Sequence, residues 1–130
     1  MPGGHQEGGL RGGTENVPGI LGLAAAARAA QAWLAGDGMA RQRALRDMFE
    51  SRLSDGIPSI RIHGAEVERL WNTSSVAFPG LDAGTMLLYL SERGVCAAAG
   101  AACASGSIEP SPVLLGMGMD PALAGATVRF

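Results

Sequence analysis

The sequence predicts an α/β or α+β fold: a small sheet with helices packed mainly on one face. Three observations carry this. Helical and strand patterns alternate along the chain, with helical spacing at 17–35 and 39–53 and strand patterns at 59–63 and 73–78. The strand segments are β-branched or alternating. Of the 130 residues, 47% are hydrophobic and 17% charged. That balance excludes disorder and fits one domain with a real core, or part of a larger one.

Residues 3–14 are rich in glycine and read as a loop. Asn16 is a helix N-cap, and Pro18 is tolerated in the first turn. The helix then runs to about Ala35, with Ile20, Leu21, Leu23, Ala24, Ala27, Gln31 and Leu34 marking its faces. Gly36-Asp37-Gly38 breaks it. A second helix follows at about 39–53, with an apolar stripe of Leu45, Met48, Phe49 and Leu53. Its Arg41, Arg43, Arg46, Asp47 and Glu50 are assigned to a solvated face. Strands are expected at 59–63 and 73–78, the second stopped by Pro79-Gly80. Asp82 caps a third helix carrying Met86, Leu87 and Leu90, and Gly94 ends it. Residues 95–97 read as a short strand. Ser111-Pro112 opens a helix ended by Gly118, Asp120-Pro121 opens a short turn, and 126–130 reads as a strand.

The net charge of −2 provides no basic field for nucleic acid. Two cysteines make no disulfide framework and favour a reduced, cytoplasmic setting. The start has no signal-peptide pattern, and the apolar stretch 19–30 is interrupted by Arg28, so no membrane segment is expected. A Gly-rich start and a finish inside a strand pattern suggest a piece of a longer protein. All ten basic residues are arginine; lysine is absent.

Cys103 lies among Gly, Ala and Ser residues that are too small to cover a sulfur atom. Core cysteines sit among large apolar side chains, where burial leaves them inert. Cys103 is therefore a candidate nucleophile, set against the plainer reading of a loop thiol without a role. Cys96 reads as structural, and its spacing from Cys103 matches no common zinc pattern. His5 and His63 read as loop residues rather than bases, and Trp33 and Trp71 as packing or surface residues.

Three segments in register resemble the cysteine desulfurases of the class V aminotransferase group, which use pyridoxal phosphate (PLP). Gly3-Gly4-His5-Gln6-Glu7-Gly8-Gly9-Leu10-Arg11-Gly12-Gly13-Thr14-Glu15-Asn16 resembles that family's Gly-rich R-[SG]-G-T-E-N loop. Asn72-Thr73-Ser74-Ser75-Val76-Ala77-Phe78-Pro79-Gly80 resembles its N-T-x-x-x-x-F-P-G strand. Gly100-Ala101-Ala102-Cys103-Ala104-Ser105-Gly106-Ser107-Ile108-Glu109-Pro110-Ser111 resembles its cysteine loop.

The resemblance implies the C-terminal part of such an enzyme, of the aspartate aminotransferase fold. Residues 1–16 would end the large domain with a phosphate-binding loop. Residues 17–130 would form the small domain, with the catalytic loop at 97–109. By the same resemblance, Cys103 takes the substrate sulfur as a persulfide while L-cysteine becomes L-alanine, and serves as a transient iron–sulfur cluster ligand. Thr14 binds the PLP phosphate of the neighbouring subunit in a homodimer. Arg129 pairs with the substrate carboxylate, and Asn72 and His5 lie near the active site. A sulfur-acceptor or scaffold protein is the implied partner, for cluster assembly or other sulfur acceptors.

The physical chemistry agrees with these roles. A thiolate is the competent nucleophile, and sulfur transfer to it is related to disulfide exchange. A Gly-rich loop running into a helix N-terminus suits an anion. An arginine fork matches a carboxylate. Two departures stand out. The Schiff-base lysine has no counterpart here, so the chain alone is expected to be inactive. Ala98, Ala99 and Ala101 replace serines common in the family, and Gly100-Ala101-Ala102-Cys103 with Pro110-Ser111-Pro112-Val113-Leu114-Leu115 also resembles the selenocysteine lyases of the same group, which keeps a selenocysteine lyase or other class V lyase as an alternative. A non-enzymatic module that accepts persulfide or dimerises is the third reading.

Overall fold

A computed structural model of the chain describes residues 3–100 and 109–130. It comprises two compact units, one up to Gly38 and one from Met39 to Phe130. Cys103 and the rest of 101–108 lie outside the described residues.

In the first unit a short 3-10 turn at Gln6–Gly9 precedes α1, Val17–Ala35. Asn16 caps α1 as its sequence position predicts: its side chain accepts the Gly19 N–H at 3.0 Å. The helix contains no buried residue.

The second unit is built on α2 (Gly38–Gly56), β1 (Arg61–Ile62), β2 (Ser75–Ala77), α3 (Ala83–Glu92), α4 (Pro112–Gly116), α5 (Pro121–Gly125) and β3 (Thr127–Arg129). The strands form an antiparallel sheet in the order β1-β2-β3. They are shorter than the sequence pattern suggests, and the strand expected at 95–97 does not form; the isolated bridge to Arg129 is made by the next residue, Ala98. The expected third helix is present, its N-terminus capped by the Asp82 carboxylate, which accepts the Thr85 N–H at 2.7 Å. Gly94 follows it with φ +72°, a left-handed conformation that explains the glycine at the stop.

Strand alternation divides the sheet into two faces. Val76, Phe78 and Val128 lie on one face and form the core with Ala83. Ile60, Ile62 and Phe130 extend this layer, which Leu53 of α2 and Met86, Leu87 and Leu90 of α3 cover. Helices therefore pack on this face, as the sequence predicts. Phe49 of α2 meets Phe130 with ring centroids 5.0 Å apart.

The solvated face assigned to α2 needs correction. Glu50 is only 7% exposed. Arg69, in the β1–β2 connection, donates to its two carboxylate oxygens at 2.6 and 2.5 Å. Ser74 Oγ donates to the first of these oxygens at 2.7 Å. Arg46, on the same helix, donates to the Leu70 carbonyl at 2.6 Å. Two residues that read as surface charges thus tie α2 to the segment leading into β2. Helical spacing cannot reveal this, because the partners lie about twenty residues downstream in a loop.

Candidate functional site

The second face of the sheet carries Arg129. Its position follows from the register. Ser74 and Phe130 exchange both backbone hydrogen bonds, at 3.1 and 2.8 Å. The next pair along, Ser75 and Arg129, is therefore a non-hydrogen-bonded pair, the kind in which facing side chains come closest. Arg129 spends its own N–H and C=O on Ala98, at 2.7 and 2.9 Å on the other side. Ser75, Arg129 and Ala98 thus form one row across the sheet. Arg129 is exposed, and among the described residues its guanidinium has no ion pair or hydrogen bond.

This row lines a concavity of about 600 Å³. Gly100 and Glu109, the described residues flanking the Cys103 segment, lie on its wall. Gly84 of α3, Val113 of α4 and Gly125 of α5 complete the surround. The volume suits a small molecule, and among the described lining residues Arg129 supplies a positive charge and Glu109 a negative one. Cys96 precedes this region as an exposed free thiol.

Thr127, two residues before Arg129 on the same face, also lines the concavity. Its hydroxyl is committed: Oγ1 donates to the Leu123 carbonyl at 2.9 Å. His63 Nε2 lies 3.0 Å from the same oxygen. Because the single hydroxyl hydrogen is spent on Leu123, Nε2 must carry a proton and donate. Burial pushes the His63 pKa below its ordinary value. His63, read from the sequence as a loop residue, is thus fixed to the site face of the sheet. The β-alternation of 59–63 contained that signal, since it places His63 and Arg61 on one side.

Asn72 lies elsewhere in this unit. It lines a smaller concavity of about 210 Å³ with Arg46, Phe49, Ser74 and Phe130.

The first unit holds His5 and Thr14, both exposed. Arg11 clips the loop by donating to the carbonyls of Gly13 and Thr14, at 3.0 and 3.2 Å. A Cβ at Gly12 would lie 2.9 Å from the Gly3 carbonyl carbon, so this close approach needs glycine. The clip uses the Thr14 carbonyl and leaves its hydroxyl without a hydrogen bond among the described residues. Among the described residues, no group of three or more His, Cys, Asp or Glu is placed to hold a metal ion, and no helix is long and apolar enough to cross a membrane.

Comparison with known proteins assigns the chain to a family and its fold to solved relatives. The aminotransferase class V family model matches residues 5–130, and the chain belongs to that family. It is 43% identical over 130 residues to cysteine desulfurase 2 of Trichormus variabilis, covering 100% of this chain and 32% of that protein. The fold matches a NifS-like protein from Rickettsia africae with a TM-score of 0.81 and 27% identity, over 100% of this chain and 33% of the other. It also matches the structure described as SspA in complex with cysteine, with a TM-score of 0.62 and 28% identity, over 99% of this chain and 33% of that one. The chain therefore spans about a third of the length of these relatives.

Family membership implies PLP, and the residues present fit one end of it. The free Thr14 hydroxyl in a Gly-rich loop ahead of the nineteen-residue α1 suits a phosphate. The aldehyde end has no matching group, because the sequence contains no lysine.

Proposed function

We propose that this chain is the part of a PLP-dependent cysteine desulfurase that takes the substrate carboxylate and receives its sulfur. The carrying observation is Arg129: an arginine without a partner among the described residues, lining a concavity bordered by Gly100 and Glu109 on either side of the Cys103 segment. The supporting comparison is the 43% identity to a cysteine desulfurase over the whole chain.

In this reading Arg129 holds the α-carboxylate of L-cysteine through a bidentate fork. Cys103, as thiolate, attacks the substrate sulfur. The new Sγ–S bond forms as the substrate C–S bond breaks, and the bonding pair stays on carbon, which takes a proton to give L-alanine. PLP, when bound, supplies the electron sink for that pair. The persulfide on Cys103 is then passed to a sulfur acceptor, with iron–sulfur cluster assembly as one destination. Thr14 donates to the cofactor phosphate, in trans if the enzyme is a homodimer. His5 and Asn72 are assigned no chemical step. Residues 1–16 serve as the end of a large domain and 17–130 as the small domain. The lysine that anchors PLP comes from polypeptide outside these 130 residues, so the chain alone turns nothing over.

A second reading, selenocysteine lyase, rests on the resemblance of Gly100-Ala101-Ala102-Cys103 and of Pro110-Ser111-Pro112-Val113-Leu114-Leu115 to that branch of the group. The deciding experiment uses the protein joined to the lysine-bearing segment of its gene. Release of alanine and sulfide from L-cysteine is measured beside release from L-selenocysteine. Desulfurase activity is expected from cysteine and loss of it in Cys103→Ser; activity retained by that variant removes Cys103 from the mechanism. Turnover confined to selenocysteine supports the second reading.

A further inference from the structure

Two hydroxyls of the concavity, those of Ser75 and Ser111, make no hydrogen bond among the described residues, and of these only Ser75 pairs with Arg129 across the sheet. Ser75 faces Arg129 directly across β2 and β3 in the narrow pair, and both residues line the cavity. Facing Cβ atoms in such pairs lie roughly 4.5–5.5 Å apart. That is close enough for one small anion to touch both side chains. The Ser75 hydroxyl has no hydrogen-bond partner among the described residues. Thr127, the other hydroxyl of this face, is held by Leu123 and His63 and has no hydrogen left to give. On the other side of Arg129 stands Ala98, which has no polar side chain.

We infer that Ser75 is a binding residue for the same carboxylate that Arg129 takes, its Oγ–H donating to a carboxylate oxygen in the space between β2 and β3. This rests on the reading of Arg129 as the carboxylate site. A carboxylate has about four acceptor positions, and a bidentate arginine leaves some of them open. A hydroxyl fixed on a strand beside the fork fills one without ordering a loop. It also ties the carboxylate to the strand, whereas the arginine reaches it on a long side chain. The arrangement would discriminate against ligands carrying a neutral carboxamide, whose NH₂ cannot accept from either donor.

The test is an NMR titration of the isotope-labelled 130-residue chain with L-alanine, L-cysteine and L-alaninamide. It follows the Arg129 Nε–H and the backbone amides of 74–77 and 127–130. The parent chain is expected to respond to both carboxylates and not to the amide. Ser75→Ala should weaken carboxylate binding by about 10-fold or more, 10-fold being the low end for a hydrogen bond to a charged group. Ser75→Thr, which keeps the hydroxyl, should stay within about 2-fold of the parent by the same reasoning. Arg129→Gln should abolish the response. If Ser75→Ala binds like the parent while Arg129→Gln does not bind, the Ser75 inference is wrong and the Arg129 reading stands. If the parent responds equally to amide and carboxylates, or to neither, both fall.

Discussion

Removing Arg69 isolates the energetics of the one buried ion pair described in the second unit. Glu50 is buried and accepts two hydrogen bonds from Arg69 and one from Ser74. In Arg69→Met the carboxylate keeps only Ser74 among these. Breaking a buried pair by deleting one partner costs about 3–5 kcal/mol. The Arg69 side chain is 19% exposed, which places the loss at the lower end, about 3 kcal/mol. For a domain of this size that lowers Tm by roughly 12–20 °C.

The pH dependence follows from the same contacts. The Arg69 hydrogen bonds hold the Glu50 pKa below its ordinary value of 4.5, against the opposing effect of burial, with Ser74 adding to the lowering. A carboxyl with a depressed folded pKa contributes stability that is complete above its unfolded pKa. That contribution is lost as pH falls through the folded value. In the parent this contribution is complete above about pH 4.5 and declines as pH falls below it, whereas in Arg69→Met burial acts with less opposition and acid unfolding begins at higher pH. Urea unfolding followed by circular dichroism, repeated across pH 3–7, measures both effects. Adding Glu50→Gln to Arg69→Met removes the stranded charge and should recover part of the loss. A cost below about 1 kcal/mol, the value of an exposed ion pair, would refute the assignment, as would a double variant less stable than the single one.

Other consequences are open to direct measurement. In Gly38→Ala the new Cβ would lie 2.3 Å from Trp33 Cε2, so the indole must move. Trp33 emission, read in a Trp71→Phe background, should shift, with a stability cost of about 1–3 kcal/mol typical of overpacking; unchanged emission would show that the contact is absent. His63 should titrate by NMR below its ordinary value of 6.5. Its stabilisation is complete above that value and is lost as pH falls through the folded pKa, because charging the buried ring opposes folding. A His63 midpoint at or above 6.5 would contradict that placement. Thr127→Val removes the hydroxyl that bonds Leu123 and His63 and should destabilise the chain by about 1–2 kcal/mol.

Local chemistry determined much of this protein before any coordinates. Asn16 and Asp82 as helix caps, Gly94 as a helix stop, and the apolar alternation that turns Val76, Phe78 and Val128 to one face all follow from side chains acting on their own neighbourhood. The family was legible too, by resemblance, since the glycine loop, the asparagine strand and the cysteine loop are contiguous strings. What the tertiary structure alone decided are relations between distant positions. Glu50 reads as a surface charge until Arg69 and Ser74 close on it. His63 reads as loop until Thr127 comes within 3.0 Å. Asn72, in the turn before β2, and Arg129 of β3 line different concavities. Ser75 carries no signal of its own; its meaning comes from a register that sets it opposite Arg129. Pairing register depends on which strands meet and where. That is fixed by packing of the core face, a property of the folded chain rather than of any one segment.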